Sequence, residues 1–126
     1  MDKAIFTEKA PRPVGPYSQA AVTGRTVYCS GQIAIDPATG MLVEGGAGEQ
    51  ARICLQNIEA VLAASGCGMR DVIKTAIFVT DMTEFKAVNE AYAASFPADP
   101  PARTTVAVAA LPMGAKVEIE AVAIIP

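Results

Sequence analysis

Histidine and tryptophan are absent from this chain of 126 residues, and cysteine occurs only at positions 29, 54 and 67. Without histidine a Ser-His-Asp triad is excluded, so Ser30 cannot be a nucleophile of that kind. Cys29, Cys54 and Cys67 are scattered, with no Cys-x-x-Cys spacing. Together with the missing histidine this argues against any zinc centre, and no metal site is expected. The three read as small buried thiols. A reactive thiolate needs a basic neighbour or a helix N-terminus, whereas Cys67 falls at the C-terminal end of a helical segment. No run of lysine or arginine exists and the net charge is −3, which argues against a nucleic-acid footprint. No segment reaches membrane-spanning length. The start, Met1-Asp2-Lys3-Ala4-Ile5-Phe6, lacks the apolar stretch of a signal peptide, so a cytoplasmic location is expected.

Hydrophobic residues make up 52% of the chain. That suits one domain over residues 1–126, burying roughly two-thirds of its unfolded surface. Gly45-Gly46-Ala47-Gly48 precedes a helical segment but lacks the Lys-Ser/Thr pair of a phosphate loop, and reads as a flexible turn. Asp36 and Asp99 show no calcium-loop spacing.

Ala4 to Thr7 is a short strand candidate. Ser18 to Val22, a Thr23-Gly24-Arg25 turn and Thr26 to Ile35 read as a hairpin. Asp36-Pro37-Ala38-Thr39-Gly40 is a turn by residue type. Cys54, Leu55, Ile58, Val61 and Leu62 recur at helical steps, predicting a helix over 49–65 that stops at Gly66. Val72 to Thr80 is β-branched and apolar, as in a strand buried on both faces. Asp81 or Thr83 caps a second helix with Phe85, Val88, Tyr92 and Phe96 inward. Thr104 to Ala110 and Lys116 to Ile125 complete the order β-β-β-α-β-α-β-β, an α+β fold with a mixed sheet and two helices on one face.

In the last strand Val117, Ile119, Ala121, Ala123 and Ile125 alternate with Lys116, Glu118 and Glu120. Two helices cover one face of such a sheet. The other carries polar groups mixed with Val106, Val108, Val122 and Ile124, which is too apolar for water and predicts packing against other copies of the chain.

Arg103 and Glu120 are the residues with most chemical promise. The short link Leu111-Pro112-Met113-Gly114-Ala115 predicts that their strands are antiparallel neighbours, with the guanidinium and carboxylate on one side of the sheet. An arginine fork grips a substrate carboxylate through two parallel hydrogen bonds, and a carboxylate can hold a water. On spacing alone, a cross-strand ion pair of about 0–1 kcal/mol is the favoured reading. Asn89 alone is a polar residue at a helix edge, and Tyr17 alone a packing aromatic.

Their joint occurrence changes the reading. Gly15-Pro16-Tyr17-Ser18-Gln19-Ala20, Ser30-Gly31-Gln32, the Asn57 region, Val88-Asn89-Glu90-Ala91-Tyr92, Pro101-Ala102-Arg103-Thr104-Thr105 and Val117-Glu118-Ile119-Glu120-Ala121 together resemble the RidA family, also called YjgF. The resemblance spans nearly the whole chain. It implies a chorismate-mutase-like fold and a homotrimer with clefts between subunits. It also implies hydrolysis of 2-imino acids and their enamine tautomers to 2-oxo acids and ammonia, with no cofactor. In that pattern Arg103 clamps the substrate carboxylate and Glu120 holds the attacking water. Tyr17 closes the cleft, Ser30 and Gly31 line it, and Asn89 faces it from the second helix. Thr105 stands where many relatives have cysteine, a change that imine hydrolysis tolerates because it needs no thiol. A relative specialised for another enamine, a ribonuclease and a non-enzymatic small-acid binder or chaperone are the competing readings.

Overall fold

A tight turn at Gly24-Arg25, with Gly24 at φ +57°, opens the sheet. Only a residue tolerant of left-handed backbone closes so short a link. In this computed structural model, which describes residues 1–126, the turn joins strand Ala20–Thr23 (β2) to Thr26–Gln32 (β3), and Lys3–Ile5 (β1) pairs antiparallel with β2. Helix Ala47–Ala64 (α1) follows, then strand Val72–Val79 (β4), helix Phe85–Ser95 (α2), strand Ala102–Ala107 (β5) and strand Val117–Ile124 (β6). The order matches the pattern expected from sequence, with element ends shifted by a few residues. No helix is long and apolar enough to cross a membrane.

Helix α1 turns its periodic face inward, burying Cys54, Leu55, Ile58, Val61 and Leu62. It ends at Gly66 (φ +85°), where the amide of Cys67 bonds the Leu62 carbonyl at 2.9 Å and that of Gly66 bonds Ala63 at 3.1 Å. These two bonds satisfy carbonyls that a helix end otherwise leaves open. Ahead of α2, the Asp81 carboxylate accepts from the Thr83 amide at 3.0 Å and caps the turn that leads into the helix. Val88 and Tyr92 are buried beneath it, with Phe85 and Phe96 packed partly against the core.

The strands lie in the order β1-β2-β3-β6-β4-β5. Strand β5 runs parallel to β4, and β6 is antiparallel to both β3 and β4. The expectation that the last two strands are neighbours is therefore wrong: β4 lies between them. The chain after β5 straddles the end of β4, where the Val108 amide bonds the Val79 carbonyl at 2.8 Å and the Thr80 amide bonds Lys116 at 3.2 Å. The link at Met113 (φ 59°) and Gly114 (φ 72°) turns the chain around that end instead of closing a hairpin. Strand β5 also starts earlier than expected, so Arg103 sits inside it rather than before it.

Both helices cover one face, against which Thr75, Ile77 and Val79 of β4 and Val117, Ile119, Ala121 and Ala123 of β6 are buried. The other face is open in the single chain. Strand β4 is paired on both edges, yet Lys74, Ala76 and Phe78 are only half-buried, so burial on both faces is not met within one chain.

Candidate active site

The sheet register decides where the two charged residues point. Thr75 is the partner of both Arg103 and Ala121, while Ala76 is the partner of Thr104 and Glu120. Partners side by side project to one face, and successive residues to opposite faces. Arg103 therefore emerges with Thr75 on the helix side and Glu120 on the open side. The expectation that they share one side of the sheet does not hold within a chain. The site consists of two separate halves.

On the helix side, the Arg103 Nη1 donates to Oδ1 of Asn89 at 2.7 Å. Its guanidinium carbon lies 4.9 Å from the ring centre of Tyr92 and 5.3 Å from that of Phe85. Aromatic faces stabilise a cation without neutralising it. No carboxylate pairs with Arg103, since the chain's two ion pairs are Arg12–Glu8 and Arg52–Glu49. A recess of about 480 Å³ opens here between Asn89, Tyr92, Phe96, Pro100, Pro101 and Arg103. Tyr92 is held from below by a 2.7 Å hydrogen bond between its hydroxyl and that of Thr75, both residues buried. Thr105, two residues beyond Arg103 on the same face, has a buried hydroxyl oxygen with no hydrogen-bond partner.

On the open side, a recess of about 400 Å³ is lined by Tyr17, Ser30, Gly31, Glu118 and Glu120 among others. Tyr17 is 47% exposed at its rim, and the hydroxyl accepts from the Val14 amide at 3.3 Å. The Ser30 hydroxyl donates to the Ser18 carbonyl at 2.6 Å, leaving its lone pairs as acceptors. Thus Tyr17, Ser30, Gly31 and Glu120 come together in one recess, and Arg103 and Asn89 in the other. Thr105 touches neither.

The strap that carries Tyr17 depends on Gln19, whose position in the sequence carries no periodic signal. Its Oε1 accepts from the Thr7 amide at 2.7 Å, and Nε2 donates to the carbonyls of Thr7 at 3.0 Å and Pro11 at 2.9 Å. Glu118 lies in the same recess. Its signal was present, since it alternates onto the same face as Glu120 two residues away. Burial, and then the charge of Glu120, push its carboxyl above the usual range.

Burial disfavours the thiolate at Cys29 and Cys54. Burial pushes Cys29 up to about 12, with Cys67 adding to it. Cys54 is raised chiefly by burial, with its thiol turned to the Val117 carbonyl at 3.7 Å. Neither forms a useful thiolate near neutral pH.

The model of the Endoribonuclease L-PSP family matches residues 7–125. The chain is 48% identical over 122 residues to the mouse protein named 2-iminobutanoate/2-iminopropanoate deaminase, covering 97% of this chain and 90% of that one. It is 47% identical over 123 residues to a RutC family protein of Pyrococcus horikoshii, covering 98% of each. Its fold superimposes on the crystal structure of RidA from the Antarctic bacterium Psychrobacter sp. with a TM-score of 0.94 at 44% identity, covering 97% of this chain and 98% of the other. With a matched family model over nearly its whole length and the six-stranded, two-helix architecture in common, the chain belongs to the YjgF/RidA family.

Proposed function

We propose that this protein hydrolyses 2-imino acids, and the enamines that tautomerise to them, to 2-oxo acids and ammonia. The observation that carries this reading is the state of Arg103. It is a guanidinium stacked by two aromatic rings and steadied by Asn89, with no acidic partner in its own chain. Such a group is prepared for an incoming carboxylate, which it can grip with two parallel charge-assisted bonds. Small 2-imino acids present that carboxylate beside an electrophilic carbon. The naming of mouse and human relatives as 2-iminobutanoate/2-iminopropanoate deaminases supports the same substrate class.

Because Arg103 and Glu120 leave opposite faces of one sheet, a pocket that uses both takes them from different copies of the chain. The proposed unit is a homo-oligomer, a trimer, in which the Arg103 recess of one copy closes over the Glu120 recess of its neighbour. Arg103 and Asn89 then hold the substrate from one side, while Tyr17, Ser30, Gly31 and Glu120 enclose it from the other. Glu120 orients a water against the imine carbon and takes its proton as the carbon–oxygen bond forms. Thr105, behind Arg103, supports that side of the pocket.

The test couples a dehydratase acting on serine or threonine to this protein and follows imine decay and ammonia release. Wild type should accelerate both. Arg103→Ala should lose roughly 10²–10⁴-fold in kcat/KM, because two hydrogen bonds to a charged group disappear. Arg103→Lys should fail too, since a point charge does not reproduce the fork. Near-normal turnover by Arg103→Ala would remove the assigned role, and a wild type that leaves imine decay unchanged would remove the reaction.

A further inference from the structure

Thr75 is the one polar residue among those that β4 buries, the others being Val72, Ile77 and Val79. Packing alone would be met by valine there. The Thr75 hydroxyl lies instead 2.7 Å from that of Tyr92, a residue only 5% exposed. Thr75 is also the direct partner of Arg103 in the parallel β4–β5 pair, where neighbouring strands run about 4.8 Å apart. Tyr92 is therefore anchored by its tip at the root of the arginine side chain.

Phe85, Asn89 and Tyr92 fall at steps of four and three along α2 and share one face. All three meet the same guanidinium. The rings of Phe85 and Tyr92 lie 5.3 and 4.9 Å from its carbon, and Asn89 accepts from Nη1 at 2.7 Å. Arg103 leaves β5 exposed, and a side chain with so much rotamer freedom is not aimed by its own strand. Its direction comes from α2. Two side-chain hydrogen bonds tie α2 to the sheet, Asn89 with Arg103 and Tyr92 with Thr75. The first moves with the arginine, whereas the second joins two buried groups and stays fixed. The Tyr92 ring also leans on Phe96, with centroids 4.7 Å apart and planes at 42°.

We propose that Thr75 and Tyr92 are positioning residues for the carboxylate grip, their hydroxyl bond fixing the ring beneath the Arg103 guanidinium and so aiming its fork; this rests on the role given to Arg103 above. Both hydroxyls are buried, so they act through the arginine and not on substrate. Asn89 takes one donor of the guanidinium, and no carboxylate of the chain pairs with the others. Two parallel bonds to a carboxylate depend on angle. A ring that tilts or slides therefore weakens the grip without removing the charge.

Tyr92→Phe, Thr75→Val, Thr75→Ser and the double variant Thr75→Val/Tyr92→Phe are compared with wild type in three measurements. These are urea unfolding, the coupled assay, and NMR titration with 2-oxobutanoate, a carboxylate that the proposed reaction releases. Phenylalanine keeps an aromatic face beneath the cation, so Tyr92→Phe removes the anchor alone. Each of Tyr92→Phe and Thr75→Val strands the other hydroxyl in the core and should lower the urea midpoint. The double variant removes both and should regain much of that loss. The grip should not follow. Kd for 2-oxobutanoate and KM for the imine should rise roughly 3–10-fold in those two single variants and stay raised in the double, with kcat changed less. Thr75→Ser keeps the hydroxyl and should bring KM and Kd back toward wild type. Wild-type Kd in the single and double variants overturns the proposal. So does a double variant in which stability and Kd recover together, because the bond is then a core contact and nothing more. A wild type that binds 2-oxobutanoate, more tightly than the variants do, yet leaves imine decay unchanged removes the imine-hydrolysis reading and keeps the positioning role. A wild type that does not bind 2-oxobutanoate removes the role of Arg103 and the proposal with it.

Discussion

Thr105 is the one residue with a buried side-chain oxygen that has no hydrogen-bond partner. Leaving such a group unmade costs roughly 1–3 kcal/mol, while an apolar replacement of the same shape avoids it. Thr105→Val should therefore unfold at equal or higher urea concentration than wild type, by up to about 1 kcal/mol. If the hydroxyl meets substrate, the same variant loses turnover while gaining stability. A urea curve and a kinetic assay on one preparation separate the two effects, and a clear loss of stability would show the hydroxyl to be satisfied in the folded protein. Cys29 and Cys54 are buried, and Cys67 is partly buried. The alternation of β6 was readable residue by residue, and Val117, Ile119, Ala121 and Ala123 are buried as it predicts. Glu118 was equally readable as a face neighbour of Glu120. Its closeness to Gly31 depends on the β3–β6 pairing, which no local pattern encodes.

Elements with strong periodicity were legible; their order in the sheet was not. Helix α1 follows its apolar steps and α2 its aromatic stripe, because each buries one face against the sheet whatever lies beside it. The stretch Leu111-Pro112-Met113-Gly114-Ala115 has the residue types of a hairpin turn, yet β4 takes the place between β5 and β6. That outcome reflects competition among strands distant in sequence, so a turn signal alone could not reveal it. The strap over residues 7–17 shows the same limit. Its residues have no period, and it is fixed instead by the buried carboxamide of Gln19. Gln19→Leu strands the Thr7 amide and two carbonyls, and should cost roughly 2–4 kcal/mol. Because the strap carries Tyr17, KM for the imine should rise in the same variant. Gln19→Glu keeps the acceptor for Thr7 but loses both donated bonds, so its loss in stability should resemble that of Gln19→Leu. Urea unfolding beside the coupled assay checks both, and a stable Gln19→Leu with unchanged KM would show that the strap holds without it.

At the scale of the whole molecule, one sheet face is finished and the other is not. Tyr28 is 52% and Val106 41% exposed on the open face, beside half-buried Phe78, Val122 and Ile124. Strand β5 leaves one long edge unpaired. Both features favour contact with another copy, which would also bring an Arg103 recess to a Glu120 recess. The two-faced placement of these residues makes the arrangement testable without coordinates of the assembly. Arg103→Ala and Glu120→Gln chains should each be nearly inactive alone. Refolded together in equal amounts, they distribute at random around a closed ring, and a pocket is whole only where an intact Arg103 meets an intact Glu120. That requires the Glu120→Gln chain on one side and the Arg103→Ala chain on the other, so about one quarter of pockets regain full function. Mixing without unfolding should restore less, in step with the rate of subunit exchange. If each pocket drew both residues from a single chain, no mixture would recover activity, because every chain lacks one of them. Recovery near one quarter supports a pocket shared between copies, whereas a silent mixture of correctly assembled chains ends that account.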